Sequence, residues 1–200
     1  MVLAYAIIVL VILAWLLRRD LSAIGQISYR GGWKLIGLII IFFVLQAALV
    51  LYVPGQKLLQ LIVLNLSQAA LIFLFILNRH LPGAKLFAVG IALNVVVMAA
   101  NGGWMPVTPE IYHFVHSDRT LELQARPPAS KNVLLPRSET NLWLLADIIP
   151  VTLPWRRTAM SIGDLLLIMS AAQFIFQTTK KKDRPLGFAP AGPEVDILTD

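Results

Sequence analysis

Two carboxylates set among small polar side chains are the first residues in this 200-residue chain that could do chemistry. Asp164 stands in an apolar run, with Ser161 three residues earlier on the same helical face. Asn94 and Asn101, seven apart, share a face of an earlier apolar run, and Asp147 falls between the two runs. A charge at the centre of a membrane helix costs roughly 2.5 to 3.5 kcal/mol, so Asp164 should turn toward protein or a wet cavity. Asn94, Asn101, Asp147, Ser161 and Asp164 are therefore expected to converge in one polar cluster. Paired aspartates could do acid–base work if their environments held their pKa values apart. A single intramembrane acid could instead gate a proton or small-solute path. The competing reading is that these side chains only bond helix to helix, as polar groups in membrane bundles commonly do.

A second group lies in TPEIYHFVHSD, where Thr108 is expected to cap and Pro109 to open a short helix. Spacings of three put Glu110, His113 and His116 on neighbouring positions of one surface. Two imidazoles and one carboxylate are a weak metal candidate, because the H-E-x-x-H pattern is missing and surface amphipathicity explains them equally well. No metal is expected. The chain has no cysteine, which excludes disulfides, thiolate catalysis and iron–sulfur ligation. No Gly-rich phosphate loop and no nucleophile elbow occurs, so no cofactor is expected.

The elements that must position these residues follow from composition. Hydrophobic residues make up 58% and charged residues 14%, about half the charge of an ordinary soluble domain. Five apolar runs, about 1–17, 35–53, 58–77, 86–100 and 158–177, approach the ~17 to 25 residues that a span needs. The expectation is an all-α polytopic membrane bundle of five spanning helices, with a long extracytoplasmic loop over 101–157. Within that loop, Asn141 to Trp155 is apolar and broken by Pro150 and Pro154, which fits a re-entrant or interfacial segment. Leu21 to Tyr29 reads as a short surface helix, and 183–200 as a disordered cytoplasmic tail.

The net charge of +6 comes from basic residues that flank apolar runs, such as Arg18, Arg19, Arg79 and Lys180 to Lys182. That placement suits lipid head groups and disfavours nucleic acid. Weighing the short loops gives an N-terminus outside and a C-terminus inside. The expected partners are the lipid bilayer and a membrane protein.

The motifs NGGWMP (Asn101 to Pro106), ADIIP (Ala146 to Pro150) and SIGD (Ser161 to Asp164) carry a resemblance. In this order they resemble a bacterial multi-pass membrane family of unknown function (domain of unknown function 5317), over most of the chain. The resemblance marks Asn101, Gly102, Gly103, Met105, Pro106, Asp147, Pro150, Ser161, Gly163 and Asp164, and implies a cell-membrane location. It carries no reaction. The expected function is a non-enzymatic membrane component, an accessory or scaffold protein with an outer-face polar cluster. The alternatives are a solute or proton pathway through Asp164 and an outer-leaflet enzyme.

Overall fold

The computed structural model describes residues 2–52, 57–117, 123 and 132–180. Residues 183–200, expected as a tail, lie outside the described residues.

Five apolar helices form one layer: α1 (Val2–Leu16), α3 (Gly32–Tyr52), α4 (Lys57–Leu77), α5 (Ala84–Ala100) and α7 (Ile162–Thr178), with a one-turn α2 (Ser22–Gly25) after the first. Contacts between neighbours set α3 against α4, α4 against α5 and α5 against α7 as antiparallel pairs, whereas α1 runs parallel to α7, with Tyr5 against Trp155 and Arg19 against Phe176. Gln60 Nε2 donates to the Leu49 carbonyl at 3.0 Å and Ser67 Oγ to Gln46 Oε1 at 2.8 Å, which joins α3 to α4. Phe75 and Phe87 stack with centroids 3.8 Å apart between α4 and α5. The Arg30 N–H donates to Asn78 Oδ1 at 2.7 Å, and Asn78 Nδ2 returns a bond to the Arg30 carbonyl at 3.0 Å. That reciprocal pair ties the start of α3 to the end of α4.

The seam between α5 and α7 is the closest in the layer. Gly90 and Gly163 face each other, and a Cβ on Gly90 would come within 2.9 Å of the Gly163 carbonyl oxygen. Seven residues along, Ser170 Oγ donates to the Gly83 carbonyl at 2.9 Å. Small residues at a period of seven on both helices let the backbones approach, as in the shallow left-handed crossing of coiled coils.

The connection 101–157 is no bare loop. It builds a cap from β1 (Met105–Val107), α6 (Pro109–Val115), β2 (Asn132–Leu134), β3 (Ile149–Leu153) and β4 (Arg156–Met160), with 3-10 turns at Arg137–Glu139 and Trp143–Leu145. β1 pairs parallel with β2, and β3 pairs antiparallel with β4, Ile149 opposite Met160 and Leu153 opposite Arg156. Met105 and Ala146 are buried with Leu64, Val97 and Met98, so the cap rests on the ends of α4 and α5.

The five-span, all-α expectation is overturned. Among the described residues one helix, Leu58–Leu77, is long and apolar enough to cross a membrane. The helices Val2–Leu16, Ala84–Ala100 and Ile162–Thr178 fall short of that length. At about 1.5 Å per residue they reach roughly 22 to 26 Å, against a hydrocarbon core of ~30 Å. The described residues are mostly helical, with two small sheets. Counting apolar residues overestimated the spans because such residues also build strands: 158–160, assigned to the fifth run, belong to β4. Asn141 to Trp155, expected as a re-entrant or interfacial segment, forms a 3-10 turn and β3. The surface helix expected over Leu21 to Tyr29 shrinks to the four residues of α2.

Candidate functional site

Asp164 was expected inside the fifth run, and it stands instead in the first turn of α7. Ser161 is the N-cap, and its Oγ accepts from the Asp164 N–H at 3.0 Å, while Asp164 Oδ2 accepts from the Ser161 N–H at 3.3 Å. This is a capping box, with aspartate in the place usually held by glutamate. A carboxylate at a helix N-terminus is favoured by the helix dipole and by orphan N–H groups, so its location there lowers the cost of placing a charge in the layer.

Asn94 extends the box across the seam. Its Oδ1 accepts from Ser161 Oγ at 2.9 Å and its Nδ2 donates to Asp164 Oδ1 at 3.1 Å. Gly163 makes room for it, because a Cβ there would overlap Asn94 Oδ1 and come within 2.7 Å of the Gly90 carbonyl oxygen. Among the described residues Asp164 has no cationic partner.

Asp147 arrives from the cap. Its side chain is buried, its N–H donates to the Pro106 carbonyl at 3.2 Å, and Oδ2 accepts from Asn132 Nδ2 at 2.8 Å. The two acids then share one space. A half-open cavity of about 690 Å³ lies between α1, α3, α4, α5, α7 and the cap, with Asn94, Asn132, Asp147 and Asp164 in its wall. Gln68 and Thr158 add polar edges, and Leu3, Ile39, Val44, Leu71, Ile91 and Leu167 supply apolar ones. The volume lies within the usual range for small-molecule sites.

Three of the five expected cluster residues, Asn94, Asp147 and Asp164, therefore line one cavity, and Ser161 stands behind them, fully buried. Asn101 does not join. It forms a clamp with Asn141, in which Asn101 Nδ2 donates to the Asn141 carbonyl at 2.9 Å and Asn101 Oδ1 accepts from the Asn141 N–H at 2.9 Å. The other motif residues shape the cap. Gly102 and Gly103 take φ of +72° and +89°, a region that favours glycine. Met105 and Pro106 are fully buried, while Pro150 is exposed in β3.

Thr108 caps α6 and Pro109 opens it, as the sequence indicates. Among the described residues no three of His, Asp or Glu gather into a group able to hold a metal, so Glu110, His113 and His116 do not form one. The Thr108 hydroxyl, and then the backbone N–H of Glu110 itself, hold the Glu110 carboxyl below the ordinary carboxylate range. The His116 ring packs against Tyr112 with centroids 5.1 Å apart.

Sequence reasoning missed Asn132, which sits in β2 within a stretch that offers no periodic signal. It also missed Gly90, although the spacing Gly83 to Gly90 on one helix and Gly163 to Ser170 on the other is visible as a repeat of seven.

A protein of Thermotoga maritima named only "Uncharacterized protein" is 37% identical over 122 residues, which is 60% of this chain and 66% of that relative. The chain thus spans just under two thirds of the relative's length. No solved structure matches. The model of one family covers residues 26–176, a range that includes NGGWMP, ADIIP, SIGD and every polar residue of the cavity wall. The chain belongs to the family of unknown function DUF5317.

Proposed function

We propose that this protein is a non-enzymatic membrane component whose cap-side cavity binds an apolar ligand carrying a cationic group. The observation that carries the reading is the cavity wall, where Asp147 and Asp164 share one enclosure with aliphatic side chains such as Ile39, Val44 and Leu167. Anionic oxygens in such a setting favour an ammonium or guanidinium group, and the apolar wall favours an aliphatic body. A binding role is preferred over catalysis because Ser161, Asn94 and Asp164 are already committed to one another. A through-path is disfavoured by the Gly90–Gly163 contact that closes the seam.

Membrane residence is supported by the surface of the helical layer. Only 22% of the Leu58–Leu77 stretch is buried, whereas the core helix of a soluble domain would be mostly covered. Ile8, Val9, Ile40, Ile41, Val44, Leu58 and Phe73 are all more than half exposed, a density of apolar exposure beyond that of monomeric soluble proteins. In this reading the basic turns face the cytoplasm and the cap faces outward.

The test is binding of a medium-chain alkylamine and the alcohol of equal length to the full chain in neutral detergent. The amine should bind saturably and at least about tenfold more tightly, and Asp147→Asn should remove that preference. Equal affinity for amine and alcohol would exclude the reading.

A role as an accessory subunit is favoured by one further observation. α1 buries only Ala14 while Ile7, Ile8, Val9, Ile12, Trp15 and Leu16 are exposed. Gentle extraction at native expression should recover a membrane protein partner that is lost when Ile8 and Ile12 are replaced by Ser.

A further inference from the structure

The turn between α4 and α5 carries a second pocket of opposite chemistry, at the far end of the helical layer from the cap. Its volume is about 490 Å³, and its polar lining is Arg79, His80 and Lys85 from the turn and the first residues of α5, with Gln173 and Gln177 from α7. All five side chains are exposed, so none is committed to the core. No acidic residue lines it among the described residues. Leu86 and Val89 continue its edge as an apolar strip along α5.

The two walls are held at a fixed separation. Gly83, the N-cap of α5, has φ of +76°, and a Cβ there would overlap the Ser170 carbonyl oxygen. With the Ser170 hydroxyl bonded to the Gly83 carbonyl, the turn is pinned against α7. The Ala84 N–H donates to the Leu81 carbonyl, helix geometry leaves those of Lys85 and Leu86 without intrahelical acceptors, and the helix dipole adds positive potential at that end.

The surroundings are mostly of the same sign, with Asp20 as the acid that opposes them. The Arg30–Asn78 pair and the Asp20 N–H to Lys180 carbonyl bond, 2.9 Å, bring the turns that carry Arg18, Arg30, Lys34 and Lys180 to this end. An arginine fork, a lysine ammonium and two carboxamide donors converging on one space are suited to the tetrahedral oxygens of a phosphate ester.

We propose that this pocket binds a phosphate group, supplied by an anionic lipid head group whose acyl chains run along Leu86 and Val89. Phosphate is the shared chemistry, and a free phosphate ion is its other source. The lipid source rests on the membrane reading above, while the phosphate chemistry does not.

The experiment titrates the full chain in neutral detergent with short-chain phosphatidylglycerol, with phosphatidylcholine, and with inorganic phosphate. Phosphatidylglycerol should bind saturably and in preference to phosphatidylcholine. Neutralising two surface cations, as Arg79→Gln with Lys85→Gln, should weaken it about thirtyfold, and Lys85→Gln alone about fivefold. The pair Arg18→Gln with Lys34→Gln removes the same charge from the same end outside the pocket, and should change affinity less than about threefold. Equal losses from the two pairs, or no preference for either phosphate source, would overturn the proposal, since diffuse attraction would then suffice. Inorganic phosphate that displaces the lipid and is lost with Arg79 and Lys85 would uphold the pocket with the free ion as ligand. Melting curves keep the single variant as the deciding measurement if the double variant does not fold.

Discussion

Asn94 of α5 donates to Asp164 of α7 at 3.1 Å while its own carbonyl oxygen accepts from Ser161, so one carboxamide serves both members of a capping box on another helix. Replacing it with leucine leaves two polar groups without their partner in a close seam. The expected cost is about 2–4 kcal/mol, since stranding a buried polar group typically costs 1–3 kcal/mol and charged groups more. Asn94→Asp should be worse than Asn94→Leu, because it sets a second carboxylate against Asp164. Chemical denaturation in detergent measures both, and a benign Asn94→Leu would show that the bonds across the seam add little.

The glycines separate two kinds of constraint. Gly163→Ala places a methyl group into Asn94 and Gly90, where backbone must shift, and should cost about 1–3 kcal/mol. Gly102→Ala meets nothing within 4 Å but must hold φ of +72°, so its cost should be near 1 kcal/mol and arise from backbone strain alone. The two are told apart by repair. Asn94→Ala should relieve part of the cost of Gly163→Ala, the part not due to the Gly90 carbonyl, and leave Gly102→Ala unchanged.

Much of this site was legible for reasons that turned out to be incomplete. Ser161 and Asp164 stand out as polar residues in apolar sequence, and the three-residue spacing that suggested a shared face is also the spacing of a capping box. Reading that pattern as a helix start would have placed 158–160 outside the helix and Asp164 at its mouth. The cap was less legible, because β1 and β2 are three residues each, too short for alternation to register, and β1 pairs with a strand 27 residues on. Asn132 is bonded to Asp147 only because that non-local pairing brings it there. Asn101 was misplaced for a different reason. Its spacing from Asn94 predicts a shared face on α5, but the C-cap residue, with φ of −121°, no longer follows the helical period, and the side chain bonds to Asn141.

Glu110 gives α6 a pH dependence whose sign is fixed. Its carboxyl lies below the ordinary range because the Thr108 hydroxyl and its own N–H bond the ionised form. The stabilisation is therefore fully present above the ordinary carboxylate pKa and is lost as pH falls through the lowered folded value. The group is almost wholly exposed, so salt should shrink the effect. Circular dichroism or amide exchange across α6 between neutral and strongly acidic pH should show the loss, and Glu110→Gln should abolish its pH dependence.

The absence of cysteine makes the orientation directly measurable. Ser138 lies exposed in the cap and Gln26 is exposed after α2, at the basic end. Single thiols at these positions should respond oppositely to an impermeant maleimide: Ser138→Cys should label in intact cells, and Gln26→Cys only after lysis. The reverse pattern would invert the proposed topology and leave the cavity chemistry untouched.

Arg19 closes the other end of α7. Its guanidinium donates to the Phe176 carbonyl at 2.7 Å and to the Thr179 carbonyl, and lies 4.9 Å above the Phe176 ring. Helices end with carbonyls that lack partners, and a cation there also complements the dipole. The preceding Arg18 takes φ of +53°, a left-handed conformation uncommon for a residue with a side chain, which turns the chain so that Arg19 reaches α7. Arg19 Nε is buried without a partner among the described residues, so this geometry favours the two carbonyl bonds at the expense of a third donor. Arg19→Met should therefore cost about 2–3 kcal/mol, the range for losing bonds to a charged group. Arg19→Lys should recover less than half: one guanidinium nitrogen, Nη1, makes both carbonyl bonds, but a more strongly hydrated ammonium gives up the planar packing over Phe176. Amide exchange at Thr179 and at Asp20, whose N–H donates to Lys180, should accelerate in parallel with the stability loss if the two chain ends are held together through Arg19. Full recovery by lysine would show that charge at the helix end suffices and that the planar packing over Phe176 is incidental.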